Sequence, residues 1–248
     1  MKHVTVDERR QAFVAKTEEE AYQFCIHTFI EEAQKAIAAR ASFSVALSGG
    51  QTPLRMYELL TEPSSALLVN WPLIDIFWGD ERCVPPTDPQ SNYGQAIQYF
   101  ERPPLNQAKI HRLKGEAEDR EKEAKSYEKL LLKSCSGARL DLVLLGIGED
   151  GHTASLFPKT AALKEEQKLF VPNFVPQLDC WRQTISFPAI DQARAVYVLA
   201  FGKTKSKVLK QIFFGEYTNE EIPARRLGIP TNPVYFILDK KSAYGLGL

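Results

Sequence analysis

The sequence of 248 residues has no run that approaches the roughly 20 consecutive apolar residues needed to span a membrane. Its first ten residues, Met1–Arg10, lack the apolar core of a secretory signal peptide. From these two absences we expect a soluble, cytoplasmic protein that neither crosses nor binds a membrane.

Cysteine is scarce and scattered, with residues only at Cys25, Cys83, Cys135 and Cys180. The absence of a Cys-x-x-Cys pair argues against a structural zinc site or a redox pair. Two disulfides remain compatible with the spacing, but reduced thiols are the usual state in the cytoplasm.

An excess of charge of either sign is also absent, because 31 Lys and Arg residues balance 31 Asp and Glu residues. A broad positive surface for nucleic acid is therefore not expected, although a local cluster of cations for one phosphorylated ligand is possible. A hydrophobic content of 44% and a charged content of 25% are typical of a globular protein. We expect one domain that spans residues 1–248.

Apolar strands alternate with amphipathic helices along the chain. Thr17 and Glu20 have the spacing of a capping box, which predicts a helix from there to about Arg40. Further helices are predicted after Pro53, at Tyr93–Phe100, at Glu116–Lys133 and from near Thr204. Strands are predicted at Phe43–Leu47, Leu73–Trp78, Asp141–Leu145, Gln183–Phe187, Ala195–Phe201 and Val234–Leu238. The alternation predicts an α/β fold with a mostly parallel sheet covered on both faces.

In such a sheet, ligands bind beyond the carboxyl ends of the strands, where three loops stand out. The first reads Ser48-Gly49-Gly50-Gln51-Thr52-Pro53. Its glycines allow a close approach of the backbone, and the free N–H groups at the start of a helix suit a phosphate. It is not a Walker loop, because the lysine is missing. A plain tight turn with Thr52 as the N-cap is the alternative interpretation.

The second loop, Gly79–Pro85, contains Asp80, Glu81 and Arg82 directly after a predicted strand. Two carboxylates and a guanidinium could perform acid–base chemistry or bind an anion. The alternative is that these charges are merely solvated.

The third loop, Gly146–Pro158, contains a literal Gly-x-Gly-x-x-Gly, the nominal dinucleotide fingerprint. That interpretation fails because Pro158 follows too soon for a full helix, and because Leu169–Pro176 offers no strand capped by an acid.

The same loop places His152 two residues after Asp150. A histidine oriented by a carboxylate can take a proton from water near neutral pH. The alternative is a histidine that merely hydrogen-bonds within a turn. A metal site is not expected, because no second histidine stands at ligand spacing. Taken alone, Arg182 before a strand and Lys205 at a helix start are ordinary surface cations.

Together these segments resemble the 6-phosphogluconolactonase family over nearly the whole chain. The resemblance is carried by Ser-Gly-Gly-x-Thr-Pro at 48–53, Asp-Glu-Arg-x-Val-Pro at 80–85, Ser-Asn-Tyr at 91–93 and Gly-x-Gly-x-Asp-Gly-His-Thr-Ala-Ser-Leu-Phe-Pro at 146–158, and by the segments around Arg182, Gly202 to Lys205 and Asp239. The motif at 146–158 is the most specific, whereas the first loop is shared with glucosamine-6-phosphate deaminases.

The resemblance implies a three-layer α/β/α fold with a mostly parallel, Rossmann-like sheet (NagB/RpiA/CoA-transferase-like). It also implies hydrolysis of 6-phospho-D-glucono-1,5-lactone without a cofactor. No obligate protein partner is evident from the sequence. The substrate-binding residues would be Ser48, Gly49, Gly50, Gln51, Thr52, Gly151, Arg182 and Lys205. The catalytic residues would be His152 as the base, Asp150, Arg82 near the reacting carbonyl, and Asp80. Gln51 and Ser186 depart from the Ser and Thr that are common in the family.

Two other functions remain open. A glucosamine-6-phosphate deaminase or isomerase would share the first loop, but Asp-Glu-Arg-Cys at 80–83 and the residues after His152 differ from the usual pattern of deaminases. A non-catalytic sensor of sugar phosphates is the second alternative. Such a sensor would be expected to lack His152 or Arg82, and both are present.

Overall fold

The computed structural model describes residues 1–247. Within them the strands are β1 (Lys2–Thr5), β2 (Arg10–Ala15), β3 (Phe43–Leu47), β4 (Ile74–Trp78), β5 (Asp80–Arg82), β6 (Lys109–Ile110), β7 (Leu142–Gly146), β8 (Phe170–Val175), β9 (Cys180–Ile185), β10 (Ala195–Ala200) and β11 (Val234–Asp239). The α-helices are α1 (Glu18–Arg40), α2 (Gln51–Leu60), α3 (Pro63–Ala66), α4 (Asn92–Phe100), α5 (Arg120–Ser134), α6 (Phe187–Gln192) and α7 (Lys205–Phe214).

Eight strands form the main sheet, in the order β1-β2-β11-β10-β7-β3-β4-β6. Every neighbouring pair is parallel except β1 and β2 at one edge, which are antiparallel. The predicted mostly parallel sheet is therefore confirmed. Because parallel strands point the same way, the loops after β3, β4, β7 and β10 all leave from one edge.

Successive residues of the central strands pack on opposite sides of the sheet. In β3, Val45 and Leu47 belong to the core beneath α1, α2 and α4, whereas Ala46 faces the core beneath α5, α6 and α7. In β7, Leu144 and Val143 divide in the same way. The two cores confirm the three-layer α/β/α arrangement, in which each strand is buried on both faces.

A second sheet, β5-β9-β8, is antiparallel and was not predicted. Its first strand lies in the segment that the sequence assigned to a loop, and Gly79 alone separates it from β4. Gly79 joins the two sheets, because its N–H donates to Leu47 at 2.8 Å and its carbonyl accepts from Ile185 at 2.7 Å. Three polar residues carry no hydrophobic pattern, so the strand character of β5 comes from its pairing with β9.

Several local predictions are confirmed and others need correction. The side chain of Thr17 caps α1 by accepting the N–H of Glu20, but the Glu20 carboxylate accepts from Lys16 instead of completing a capping box. Thr52 is not an N-cap, since α2 begins at Gln51 and its N-cap is Gly50. The strand expected at 183–187 runs from Cys180 to Ile185 because it pairs with both β5 and β8.

Other boundaries and properties also follow from the structure. The helix expected from Glu116 begins at Arg120, where the Asp119 side chain caps it. Strands β1 and β2 were not predicted at all. All four cysteines are free thiols. Within residues 1–247, no helix combines the length and the apolar character needed to cross a bilayer.

Candidate active site

A cleft of about 600 Å³ opens at the carboxyl edge of the main sheet, between the loops after β3, β4, β7 and β10. The small sheet forms one of its walls. Nine of the residues singled out from the sequence line the cleft: Ser48, Gly49, Gly50, Asp80, Arg82, Asp150, His152, Arg182 and Lys205. Residues up to about 157 positions apart in the chain, such as Ser48 and Lys205, are thus brought to one place because the strands that carry them are parallel.

Three of the expected residues do not line this cleft. The side chain of Gln51 is exposed on the first turn of α2, and that of Thr52 is half-buried there. Gly151 is buried beneath the loop, with φ at +83°, and a Cβ there would lie 2.7 Å from Ile222. Gly151 therefore shapes the loop, because few residues other than glycine adopt that conformation.

His152 and Asp150 form a close pair at the cleft. Oδ1 of Asp150 lies 2.6 Å from Nδ1 of His152 and also accepts the backbone N–H of His152 at 3.1 Å. The ring of His152 stacks on Phe157, with centroids 4.0 Å apart and planes inclined by 22°. The carboxylate and the aromatic face together fix the orientation of the imidazole.

Glycine at position 148 is what allows this pair to form. A Cβ on Gly148 would overlap Nδ1 and Cε1 of His152 and would lie 2.6 Å from Oδ1 of Asp150. The backbone N–H of Gly148 donates to the carbonyl of His152 at 2.8 Å, which closes the loop. The Gly-x-Gly pattern therefore serves the packing of the His–Asp pair and not a dinucleotide.

The pKa of Asp150 is lowered in the folded protein. Burial raises this pKa, but the hydrogen bonds and the charge of His152 together lower it further. Asp150 is therefore held as a carboxylate, which can only accept a hydrogen bond. In a neutral imidazole, therefore, Nδ1 of His152 carries the hydrogen and Nε2 presents its lone pair.

The first loop presents a row of free backbone donors. The N–H groups of Gly49, Gly50, Gln51 and Thr52 have no acceptor within residues 1–247. Gly50 has φ at +99°, which places these groups at the head of α2. Successive free N–H groups at the N-terminus of a helix form a site for an anion. Gln51 and Thr52 can therefore contribute through their backbone even though their side chains point elsewhere.

Three cations face the same cleft. Arg82 lies directly opposite Arg182 in the pairing of β5 with β9, so both side chains project from the same face of the small sheet. Lys205 begins α7 on the other side. Within the described part of the chain, none of the three forms an ion pair with a carboxylate. Cations left without acidic partners are suited to an anionic ligand.

Asp80 is buried, with 7% of its surface exposed, and is held by neutral donors. Its Oδ2 accepts from the hydroxyl of Ser155 at 2.6 Å, and its Oδ1 accepts from the amide of Asn92 at 3.2 Å. Asp80 thereby connects the loop after β4 to the loop that carries His152.

Glu81, in contrast, is fixed in a structural role. Its carboxylate accepts the backbone N–H groups of Arg82, Asn92 and Tyr93 and the hydroxyl of Ser91. Burial raises its pKa, in spite of those hydrogen bonds. Because Glu81 is 2% exposed and lies outside the residues that line the cleft, it anchors the start of α4 and not the ligand.

Among the cleft residues to which sequence reasoning assigned no role are Asn92, Ser155 and Phe157. All three stand inside motifs that carried the family resemblance, which was the available signal. Their contacts with Asp80 and His152 depend on tertiary structure. Among residues 1–247, no group of three or more His, Cys, Asp or Glu residues is arranged to hold a metal ion.

Comparisons with known proteins agree on one family. The family described as "Glucosamine-6-phosphate isomerases/6-phosphogluconolactonase" matches residues 16–235. The chain is 39% identical over 215 residues to a 6-phosphogluconolactonase of Chlamydia pneumoniae, an alignment that covers 86% of this chain and 82% of that protein.

Solved structures give the same result. A 6-phosphogluconolactonase from Trypanosoma cruzi superimposes with a TM-score of 0.82 and 30% identity, covering 100% of both chains. A monomeric glucosamine-6-phosphate deaminase of the NagB superfamily superimposes with a TM-score of 0.74 at 21% identity, covering 94% of this chain and 98% of that one. The second likeness concerns the fold alone.

Proposed function

The chain belongs to the glucosamine-6-phosphate isomerase/6-phosphogluconolactonase family, and we propose that it hydrolyses 6-phospho-D-glucono-1,5-lactone to 6-phospho-D-gluconate, the lactonase step of the oxidative pentose phosphate pathway. The observation that carries the proposal is the shared cleft. It contains an oriented His–Asp pair, together with a row of N–H groups and three cations that have no acceptor or acidic partner within residues 1–247. A phosphorylated ester needs a base at one end and an anion site at the other.

In the proposed reaction His152 is the general base. Its Nε2 takes a proton from a water molecule as the water oxygen forms a bond to C1 of the lactone. The negative charge moves to the former carbonyl oxygen, near which Arg82 is proposed to lie. One such preorganised donor typically contributes about 3–4 kcal/mol to the stabilisation of the transition state.

The tetrahedral intermediate then collapses. The bond between C1 and the ring oxygen breaks, and His152 returns its proton to that oxygen, which leaves as a hydroxyl group. The new carboxylic acid ionises to give the product. Asp150 supports both steps, because it holds the ring in place and stabilises the imidazolium.

The phosphate is proposed to bind remotely from the chemistry. The N–H groups at residues 49–52, with Arg182 and Lys205, would hold it. Binding energy from this distant group can fix C1 against the base. Asp80, buried at the cleft with a carboxylate that only accepts hydrogen bonds, is proposed to hold a hydroxyl of the sugar ring.

The test uses lactone freshly generated from glucose 6-phosphate by its dehydrogenase. Formation of 6-phosphogluconate is followed with the wild-type protein, with His152→Ala and without enzyme, since the lactone also opens spontaneously. We expect the wild type to accelerate opening and His152→Ala to fall to the uncatalysed rate. Circular dichroism of the variant checks that it is folded.

Other outcomes would assign the site differently. If the wild type matches the uncatalysed rate and releases ammonia from glucosamine 6-phosphate, the protein is a deaminase. If it binds 6-phosphogluconate tightly but turns over neither substrate, it is a sensor. The cytoplasmic location and the single domain expected from the sequence stay predictions.

A further inference from the structure

The side chain of Asn92 is the one buried polar group of the cleft whose second atom has no partner in the described residues. Asn92 is the first residue of α4 and is 1% exposed, yet it lines the cleft. Its Nδ2 donates to the backbone carbonyl of Asp80 at 2.9 Å and to Oδ1 of Asp80 at 3.2 Å. Its Oδ1 is buried and accepts no hydrogen bond within residues 1–247.

The two acceptors on Asp80 fix which way the amide points. A carbonyl and a carboxylate oxygen can only accept, so the NH2 group of Asn92 must face them. The oxygen of the amide is therefore turned the other way, towards the first loop. There a Cβ on Gly49 would overlap Oδ1 and Cγ of Asn92, and all three of its nearest atoms would belong to this amide. The Cα of Gly49 therefore packs directly against Asn92.

Asn92 thus lies between the first loop, which presents the free N–H groups, and the loop that carries His152. On one side it touches Gly49, where the row of free N–H groups begins. On the other side it holds Asp80, whose Oδ2 accepts from Ser155, three residues after His152. A buried polar group without a partner costs stability, which is tolerated where the arrangement serves a function.

We propose that Asn92 is a positioning residue that sets the distance between the phosphate-binding loop at Gly49 and the loop that carries His152. The proposal rests on the proposed lactonase function. Asn92 forms no bond to the reacting atoms, and its effect passes through Gly49 and Asp80. It also explains why residue 49 is a glycine: the space that a side chain would need is filled by the amide.

The first experiment compares Asn92→Ala with Gln98→Ala. Gln98 is an exposed residue of the same helix, and its side-chain amide donates to the carbonyl of Gln95 at 3.0 Å. Because a misplacement of about 1 Å can cost about 100-fold in rate, we expect Asn92→Ala to lower kcat/KM about 10- to 100-fold, through both kcat and KM. Gln98→Ala should equal the wild type. Asn92→Asp should be worse than Asn92→Ala, because its carboxylate would face the acceptors of Asp80.

The second experiment is a double-mutant cycle between residues 49 and 92. Gly49→Ala alone should be severely impaired, since its Cβ meets the amide. The double variant Gly49→Ala/Asn92→Ala lacks the amide atoms of Asn92 that the new Cβ would overlap. We therefore expect its kcat/KM to be about tenfold higher than that of Gly49→Ala alone. Such a rescue shows that the side chains at positions 49 and 92 compete for one space, and the comparison of Asn92→Ala with Gln98→Ala shows whether that contact affects activity.

Two results would overturn the proposal. One is that Asn92→Ala lowers the melting temperature but matches Gln98→Ala in kcat and KM well below that temperature. The other is strictly additive effects in the cycle. The affinity for inorganic phosphate, measured by calorimetry on all variants, tests the role of Asn92 separately from the proposed lactonase function. If the wild type does not hydrolyse the lactone, the lactonase function fails, while the coupling of Gly49 with Asn92 is still decided by phosphate affinity.

Discussion

Asp150 binds His152 twice through a single oxygen: Oδ1 accepts the backbone N–H at 3.1 Å and lies 2.6 Å from Nδ1 of the ring. The backbone contact sets where the loop turns, and the side-chain contact sets which ring nitrogen faces the cleft. A similar distance of 2.6 Å separates Nε2 of His111 from Oδ1 of Asp75, far along the chain and outside the cleft residues. The protein therefore contains a matched pair that serves as a control.

Asp150→Asn should abolish most of the activity. The amide that replaces the carboxylate can present its NH2 group to Nδ1, which would turn the hydrogen to Nε2 and remove the lone pair from the cleft. We expect kcat to fall about 100- to 10,000-fold with little change in KM. Steady-state kinetics with fresh lactone measure both.

The control for this prediction is Asp75→Asn. It replaces the carboxylate that pairs with His111 by a neutral amide and should lower the melting temperature, because Asp75 is buried. Its kcat should remain that of the wild type. Equal losses of kcat in Asp150→Asn and Asp75→Asn would mean that the His152 pair is structural.

The pH dependence of stability follows from the lowered pKa of Asp150. Burial raises this pKa, but the hydrogen bonds and charge of His152 bring it below the ordinary value of 3.8. The stabilising contribution is thus present above the ordinary pKa and is lost as the pH falls through the lower, folded-state pKa.

We therefore expect the difference in melting temperature between wild type and Asp150→Asn not to shrink between about pH 7 and about pH 5, and to shrink near pH 3. The difference should be small, because Asp150 is 45% exposed and its interactions are screened by solvent. A difference that already shrinks between about pH 7 and about pH 5 would refute the lowered pKa of Asp150.

Lys205→Ala and Arg182→Ala should weaken binding of the substrate more than they slow its turnover. Each removes a cation that has no acidic partner within residues 1–247, so the empty protein loses little. A charge-assisted hydrogen bond contributes about 1.5–3 kcal/mol, and we expect KM to rise about 10- to 100-fold with kcat nearly unchanged.

The matched variant for Lys205 is Lys207→Ala, an exposed lysine on the same helix. It should leave KM unaltered, and raising the salt concentration should increase KM for the wild type more than for Lys205→Ala. If Lys205→Ala and Lys207→Ala raise KM equally, the effect is one of overall charge and not of a binding site.

Gly148→Ala should inactivate the enzyme by displacing the His–Asp pair. Its Cβ would overlap the ring of His152 and crowd Oδ1 of Asp150. Since the ring must shift, we expect kcat to fall about 100-fold or more. Gly79→Ala is the control, because a Cβ there would lie 3.4 Å from its nearest neighbour, the carbonyl of Leu47, an ordinary contact. Full activity in Gly148→Ala would contradict the geometry.

Much of the fold could be predicted because its signals are local. The strand at Phe43–Leu47 was placed with its observed bounds, and the start of α1 followed from Thr17. The errors lie where local signals are weak. Asp80–Arg82 forms a strand only because it pairs with Arg182 and its neighbours. Strand β2 likewise depends on its parallel pairing with β11, and β1 on its pairing with β2.

The sequence by itself determined the class of fold and the loops that form the site. Alternating strands and helices produce a parallel sheet, parallel strands put their following loops at one edge, and two residues of spacing suffice to bring Asp150 to His152. Only the tertiary structure decided the remaining contacts. Arg82 meets Arg182 through the register of an antiparallel sheet, and Asn92 reaches Gly49 and Asp80 through the docking of α4. Those contacts join segments far apart in the chain, so no local pattern of residue types encodes them, and they form only when the packed core fixes the position of each loop.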